Sequence, residues 1–282
     1  MTYQQRLDRV NPGLVVLLVD QSESMSEPLA GGQVTKATVV TEHLNSLLYE
    51  LILRCVKTPR EPPRPYIHVA VITYCASPDG ETLIGEPLKH LRARPASTSA
   101  MTTAELATST LRVDRRSGAT VGTSINTPIW IEALAQGGTP MCAALNRAGA
   151  MAASWVNDHP SGFPPVIVNL SDGEATDGDP RIWADRIRSL KTNDGNVLLF
   201  NVNLSEQPET PLLFPGRTTR LPNEYAQRLW EMSSELPDPM VDAAIQHGVS
   251  VQPGARGFAF NADVRALATF LNIGTQIGRS VR

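Results

Sequence analysis

The sequence has little of what marks a specialised chemistry or cellular address. Cysteine occurs three times, at Cys55, Cys75 and Cys142. None stands in a CxxC or zinc spacing, so no disulfide framework and no thiolate metal site is implied; reduced, buried thiols are expected. The five histidines, His43, His68, His90, His159 and His247, are scattered and form no HExxH. Charge is nearly balanced, with 25 Lys and Arg against 28 Asp and Glu. No basic stripe is present, which argues against a nucleic-acid partner. No apolar run approaches the ~20 residues that span a bilayer. The start, Met1-Thr2-Tyr3-Gln4-Gln5-Arg6-Leu7-Asp8-Arg9, is polar and lacks a signal-peptide core. A cytoplasmic protein without a membrane partner is therefore expected. There is no Walker A sequence, which excludes P-loop ATP hydrolysis, and no GxSxG elbow. Internal repeats and low-complexity tails are absent as well.

What is present is an ordinary globular chain. Its 282 residues are 41% hydrophobic and 19% charged, enough for a sizeable core. The most informative stretch is Leu14-Val15-Val16-Leu17-Leu18-Val19-Asp20-Gln21-Ser22-Glu23-Ser24-Met25. Its apolar part does not alternate, which suits a strand buried on both faces of a parallel sheet. The run ends on Asp20, with Ser22 and Ser24 two and four residues on. At the carboxyl end of such a strand, where open α/β sheets bind ligands, these side chains offer oxygen donors only. That donor set suits Mg²⁺, Mn²⁺ or Ca²⁺ and not zinc or copper.

Taken in order, residues 1–12 read as an N-terminal arm and 13–282 as one domain. Lys36 to Cys55 reads as a helix with Leu44, Leu47, Leu48, Leu51 and Ile52 on one apolar face. The proline-rich segment 58–65 is a stiff connector to a second strand at 66–74. Residues 81–91 supply a short antiparallel edge strand. The stretch 93–136 reads as an irregular insertion, with a short helix from Met101 to Leu111 capped by Thr102 or Thr103 ahead of Glu105. Gly137-Gly138 allows a tight turn. Thr139 is then explained by an N-cap role alone, with Pro140 at the first helical position. Strands follow at 166–170, 196–203 and 257–260, and helices at 140–157, 179–190, 222–235, 239–246 and 264–277. In the helix at 179–190, Ile182, Trp183, Ile187 and Leu190 are expected to face inward. The alternation predicts an α/β, doubly wound, mostly parallel six-stranded sheet flanked by helices.

Three matches, in order, resemble the von Willebrand factor A (vWA) family. They are Asp20-Gln21-Ser22-Glu23-Ser24, Gly137-Gly138-Thr139-Pro140-Met141, and Val166-Ile167-Val168-Asn169-Leu170-Ser171-Asp172-Gly173 with Thr176-Asp177-Gly178 after it. The resemblance covers most of 11–280 and is poor over 76–136. It implies a Rossmann-like strand order of 3-2-1-4-5-6 and a metal-ion-dependent adhesion site with Asp20, Ser22, Ser24, Thr139 and Asp172 as ligands. Each also has a plain reading: a turn cap for Asp20 and Asp172, loop hydroxyls bonding their own backbone for Ser22 and Ser24. The implied function is metal-dependent binding of an Asp or Glu presented by another protein, with Mg²⁺ as the first expectation. Glu23, Met25, Gly138 and Glu174 would meet that partner. Stand-alone bacterial relatives of this size suggest a stress or signalling setting, with an AAA+ ATPase, kinase or phosphatase as partner. Glu23, Glu174, Asp177 and Asp179 read as solvated loop charges or as a field that recruits cations. No enzyme is expected: a phosphohydrolase of this type needs a second carboxylate where Ser22 stands. The alternative is a scaffold in which the metal only staples loops.

Overall fold

Every residue of the strand Gly13–Asp20 (β1) is buried. Val15, Leu17 and Val19 join the core on one side of the sheet, and Leu14, Val16 and Leu18 the core on the other. The lack of alternation in the sequence follows from this, because helices cover both faces. The structure, a computed structural model, describes residues 3–91, 100–117, 124–205 and 210–276.

After β1 come α1 (Lys36–Arg54), β2 (Ile67–Ala76), β3 (Thr82–Gly85), α2 (Pro87–His90), β4 (Met101–Thr102), α3 (Thr103–Leu106), β5 (Arg112–Ser117) and β6 (Ser124–Ile129). Next are α4 (Met141–Asp158), β7 (Val166–Ser171), α5 (Arg181–Ser189), β8 (Lys191–Thr192), β9 (Gly195–Asn196) and β10 (Leu198–Asn203). The described chain ends with β11 (Leu212–Leu213), α6 (Glu224–Met232), α7 (Asp238–Gln246), β12 (Phe258–Phe260) and α8 (Val264–Gly274).

The main sheet runs β11-β12-β10-β7-β1-β2-β3, with β4 also pairing β2. The strands β2, β1, β7, β10 and β12 are parallel. The edges β3, β4 and β11 are antiparallel to their neighbours. The fold is therefore α/β and doubly wound, with the strand order that the resemblance implies. The expected count of six is corrected to an 8-stranded sheet. The additional strands, β4 and β11, are two residues each, too short to show a period of two. One core contains Leu44 and Leu48 of α1, Leu106 of α3, Met240 of α7 and Phe270 of α8. The other contains Leu145 of α4, Ile187 of α5 and Leu229 of α6.

Two expectations need correction. Ile182 does not face inward: it is 55% exposed, while Ala184 and Ile187 form the buried stripe of α5. The helix begins at Arg181, and Ile182 lies away from a face set by residues three apart. The insertion is also more ordered than its composition suggests. Residues 92–99 and 118–123 lie outside the described residues. Around them, β5 and β6 pair antiparallel, and α3 starts with a capping box. There Thr102 Oγ1 accepts from Glu105 N at 3.1 Å, and Glu105 Oε2 accepts from Thr102 N at 2.7 Å. The N-terminal arm is docked as well, with the backbone N–H groups of Gln4 and Gln5 donating to the Asp194 carboxylate at 3.1 and 3.0 Å.

Asn45, buried in α1, latches the end of the insertion. Its Oδ1 accepts from Trp130 N at 2.8 Å and Ile131 N at 3.1 Å, and its Nδ2 donates to Ile131 O at 2.9 Å. Asn45→Ala strands these backbone groups in a dry site. It should lower the unfolding free energy by about 3 kcal/mol, read from urea denaturation at constant m-value. A loss below about 1 kcal/mol would mean that water replaces the amide.

Candidate metal centre

The connections from β1 and β7 leave in opposite directions. β1 leads through α1 to β2, and β7 through α5 to its other neighbour, β10. This reversal opens a crevice at the carboxyl ends of the two strands. Asp20 is the last residue of β1, and Asp172 follows the last residue of β7.

Asp20 is only 1% exposed. Its Oδ1 accepts from Ser22 N at 2.8 Å, and its Oδ2 accepts from Ser171 Oγ at 2.6 Å. Burial pushes its pKa up to about 6; the negative charge of Asp172 adds to the rise, and hydrogen bonds from Ser171 and Ser22 oppose it. A 3₁₀ turn at Glu23–Ser26 brings the serines round. Ser22 Oγ lies 3.2 Å from Ser24 Oγ, and Ser24 Oγ donates to Asp172 Oδ1 at 2.7 Å. Asp20, Ser22, Ser24 and Asp172 are thus brought together.

Thr139 reaches the same place, but not as a cap. The helix α4 starts at Met141 with no side-chain cap from its own flank. Asp177 does that work: Oδ1 accepts from Cys142 N and Oδ2 from Ala143 N, both at 2.9 Å. The N-cap reading of Thr139 is therefore corrected. Its backbone is tied to Thr176 instead, with Thr139 N donating to Thr176 Oγ1 at 3.1 Å. A methyl placed on Gly173 would lie 3.5 Å from Thr139 Oγ1 and 3.9 Å from Ser24 Oγ, so both hydroxyls border Gly173.

The turn before Thr139 needs glycine. Gly137 has φ +61°, and a Cβ there would fall 2.0 Å from Ala76 O. Gly137 O accepts from Glu23 N at 2.9 Å, Gly138 O from Ala76 N at 3.1 Å, and Gln21 O from Gln136 N at 2.7 Å. The loop is thereby stitched to the ends of β1 and β2. Beside it runs a groove of about 620 Å³ lined by Glu23, Ala76, Pro78, Gly138 and Thr176 among others.

Of the residues expected to meet a partner, Glu23 and Gly138 line this groove. Glu174 is exposed, 3.7 Å from Arg228. Met25 is corrected: it is 0% exposed and belongs to the core on the α1 side. The loop charges are largely assigned. Asp177 caps α4, and Asp179 pairs with Arg181 at 2.7 Å, whose hydrogen bonds bring the Asp179 pKa down to about 2.

Two functional neighbours were not foreseen. Lys36, 3% exposed, donates to Asp172 Oδ2 at 2.6 Å, Glu27 Oε2 at 2.8 Å and Ser24 O at 3.3 Å. A signal existed: the first turn of α1 carries no acidic residue and begins with a lysine, against the helix dipole. The second is Tyr225 of α6, whose hydroxyl donates to Gly173 O and holds the loop that carries Asp172. Nothing near Tyr225 in the sequence marks it.

The donors fit a hard divalent cation. Adjacent oxygens at 2.7 and 3.2 Å bracket the ~3 Å edge of an octahedron with ~2.1 Å metal–oxygen bonds. Two carboxylates oppose its charge, one of them already facing the Lys36 ammonium. Among the described residues no group of three or more His, Cys, Asp or Glu converges, so hydroxyls must complete the set.

No family model matches the chain, and no curated protein matches it. Solved structures that resemble it include proximal thread matrix protein 1 from the mussel byssus, 10% identical over 95% of this chain and 48% of that one, TM-score 0.44. Another is the vWF domain of the type V pili tip protein Mfa5 from Porphyromonas gingivalis, 16% identical over 60% and 40%, TM-score 0.34. A third is the pilus adhesin SpaC from Lactobacillus rhamnosus GG, 12% identical over 97% and 32%, TM-score 0.47. The chain spans less than half the length of each. At these scores the strand order and layering alone establish the fold. Among the described residues no helix is long and apolar enough to cross a membrane.

The raised pKa of Asp20 makes stability depend on pH with a definite sign. Between about 4 and about 6 the folded, metal-free protein holds a proton that the unfolded chain releases. Stability therefore falls as pH rises through that window, by on the order of 3 kcal/mol for this group. Urea unfolding in EDTA at pH 4.5 and pH 7 should show wild type losing ground to Asp20→Asn. A pH-independent difference between the two would show that the Asp20 charge is not strained.

Proposed function

We propose that this protein is a metal-dependent binding module that grips an acidic side chain of a protein partner. The observation that carries the reading is the convergence of Asp20, Ser22, Ser24 and Asp172 at the switch point, with hydroxyl and carboxylate oxygens 2.7–3.2 Å apart. Asp20, Ser22, Ser24, Thr139 and Asp172 would hold the cation, with Mg²⁺ preferred and Mn²⁺ or Ca²⁺ able to substitute. When bound, it supplies a coordination position that a carboxylate can take. The remaining work belongs to the chain. Ser171 and the Ser22 N–H orient Asp20, Ser24 orients Asp172, and Tyr225 restrains Gly173. The groove beside Gly138 gives the partner's backbone a place to lie, and Glu23 at its rim favours a partner with a basic residue next to its Asp or Glu.

The partner class we propose is a protein of a cytoplasmic bacterial stress or signalling system: an AAA+ ATPase, a kinase or a phosphatase. The reading is of a binder and not an enzyme, because the position for a general acid, two residues after Asp20, is Ser22. One observation favours a second reading. Lys36 already neutralises Asp172, which suits a scaffold whose polar cluster only joins loops.

Thermal unfolding separates the two. Mg²⁺ or Mn²⁺ at ~100 times its dissociation constant should add roughly 2.7 kcal/mol to wild type and nothing to Asp20→Ala. In EDTA, Asp20→Ala should be no less stable than wild type, since a buried like charge is removed. Equal cation-induced shifts in both proteins would refute the site; no shift in either would favour the scaffold.

A further inference from the structure

Lys36 is an unusual group to bury. It sits at the start of a helix, where a cation opposes the dipole, and loses almost all its water. Desolvation is the largest influence on it, and hydrogen bonds and charges from Asp172 and Glu27 outweigh that. Its three acceptors account for its position. Asp172 Oδ2 and Glu27 Oε2 are anionic, and Ser24 O comes from the residue whose hydroxyl donates to Asp172 Oδ1. The Asp172 carboxylate is therefore shared. Oδ1 accepts from the Ser24 hydroxyl, and Oδ2 faces an ammonium.

Resting on the metal centre proposed above, we infer that Lys36 is a tethered counter-cation that competes with the divalent ion for Asp172. Filling the centre is then an exchange of cations. An ion that engages Asp172 Oδ1 together with Ser22 and Ser24 meets a positive charge across a single carboxylate, and at this depth neither solvent nor salt screens the repulsion well. Glu27, half exposed and already bonded to Lys36, gives the ammonium an acceptor when it turns from Asp172. Two consequences follow. The metal-free centre is held neutralised and closed, with no unpaired buried carboxylate at Asp172. Affinity for the cation is lower than the oxygen donors alone would set, so the grip forms only above a threshold concentration of divalent ion.

The test uses the full chain and Mn²⁺ alone, titrated by calorimetry into wild type, Lys36→Met and Asp20→Ala, with circular dichroism confirming each fold. Lys36→Met should bind Mn²⁺ at least about tenfold more tightly than wild type, and Asp20→Ala should not bind. Binding by Lys36→Met where wild type shows none supports the competition in its extreme form. If wild type binds and Lys36→Met binds no more tightly, the competition is overturned and the metal centre stands. If neither binds, the metal centre falls and this inference with it. Should Lys36→Met fail to fold, acetylation of wild type with an N-hydroxysuccinimide ester, read by mass spectrometry, decides. Lys36 should label several-fold faster with Mn²⁺ than with EDTA, and unchanged or slower labelling overturns the exchange.

Discussion

Two carboxylates stand in one buried crevice, a strand apart, and most of the site is arranged to keep them there. Asp20 and Asp172 leave adjacent parallel strands at the point where the chain's crossovers reverse. Each is satisfied differently. Among the described residues Asp20 accepts from neutral donors, Ser171 and Ser22, and its pKa rises in consequence of burial. Asp172 accepts from Ser24 and from the Lys36 ammonium. A pair of like charges at this depth needs such asymmetry, because two bare carboxylates would not both remain ionised. The division of roles, one anion compensated by dipoles and the other by a cation, lets the strand ends approach without a bound ion.

The loops around the pair are held by backbone more than by side chains. Gly137 passes so close to Ala76 O that no Cβ fits, and the hydrogen bonds of Glu23, Ala76 and Gln136 with this turn fasten three strand-end segments together. Asp177 reaches from the loop after β7 to the first amides of α4, so the segment carrying Asp172 is tied directly to the helix following Thr139. Beneath them a buried polar row crosses the sheet: Tyr74 donates to Asn169, Asn169 to Asn201, and Asn201 to Ser233. Fully satisfied groups of this kind specify register. A one-residue slip of β7 would turn Asn169 to the other face and carry Asp172 out of the crevice.

Much of this was legible in the sequence where the physics is local. The unbroken apolar run of β1 announced a strand covered on both faces, the leucine spacing of α1 its buried stripe, and a threonine at 102 or 103 ahead of Glu105 a helix start, which Thr102 caps. The gathering of Asp20, Ser22, Ser24 and Asp172 was legible because they follow the ends of β1 and β7 closely. What escaped depends on contacts between distant segments. The cap of α4 comes from Asp177, across a strand, and so displaced a local reading of Thr139 that obeyed every rule of helix starts. Met25 follows the serine pair like a surface residue, but the 3₁₀ turn at Glu23–Ser26 swings it into the core. Tyr225 acts through Gly173 from a helix more than fifty positions later, and no periodicity encodes that.

Lys36 shows how far such reasoning extends. Read by composition, it is one more lysine at the edge of an amphipathic helix. Read by energetics, a cation in the first turn of a helix requires compensation, and the compensation must be anionic and close. Sparse candidates then narrow the choice: Lys36 meets Glu27, on the loop after β1, and Asp172, just past the end of β7. A locally unfavourable residue can thus locate a site that its own neighbours in sequence do not reveal. In the proposed metal centre it would also set the chemistry. A crevice lined only by anions and hydroxyls would be a plain cation sink, whereas one that holds its own ammonium must discriminate by charge density. A divalent ion gathers several hard oxygens at short range, which a single ammonium with three donors cannot match. The tethered amine has the advantage of needing no translational entropy to stay. On the proposed reading, the balance between those two terms, more than the list of ligands, would decide when the centre is filled.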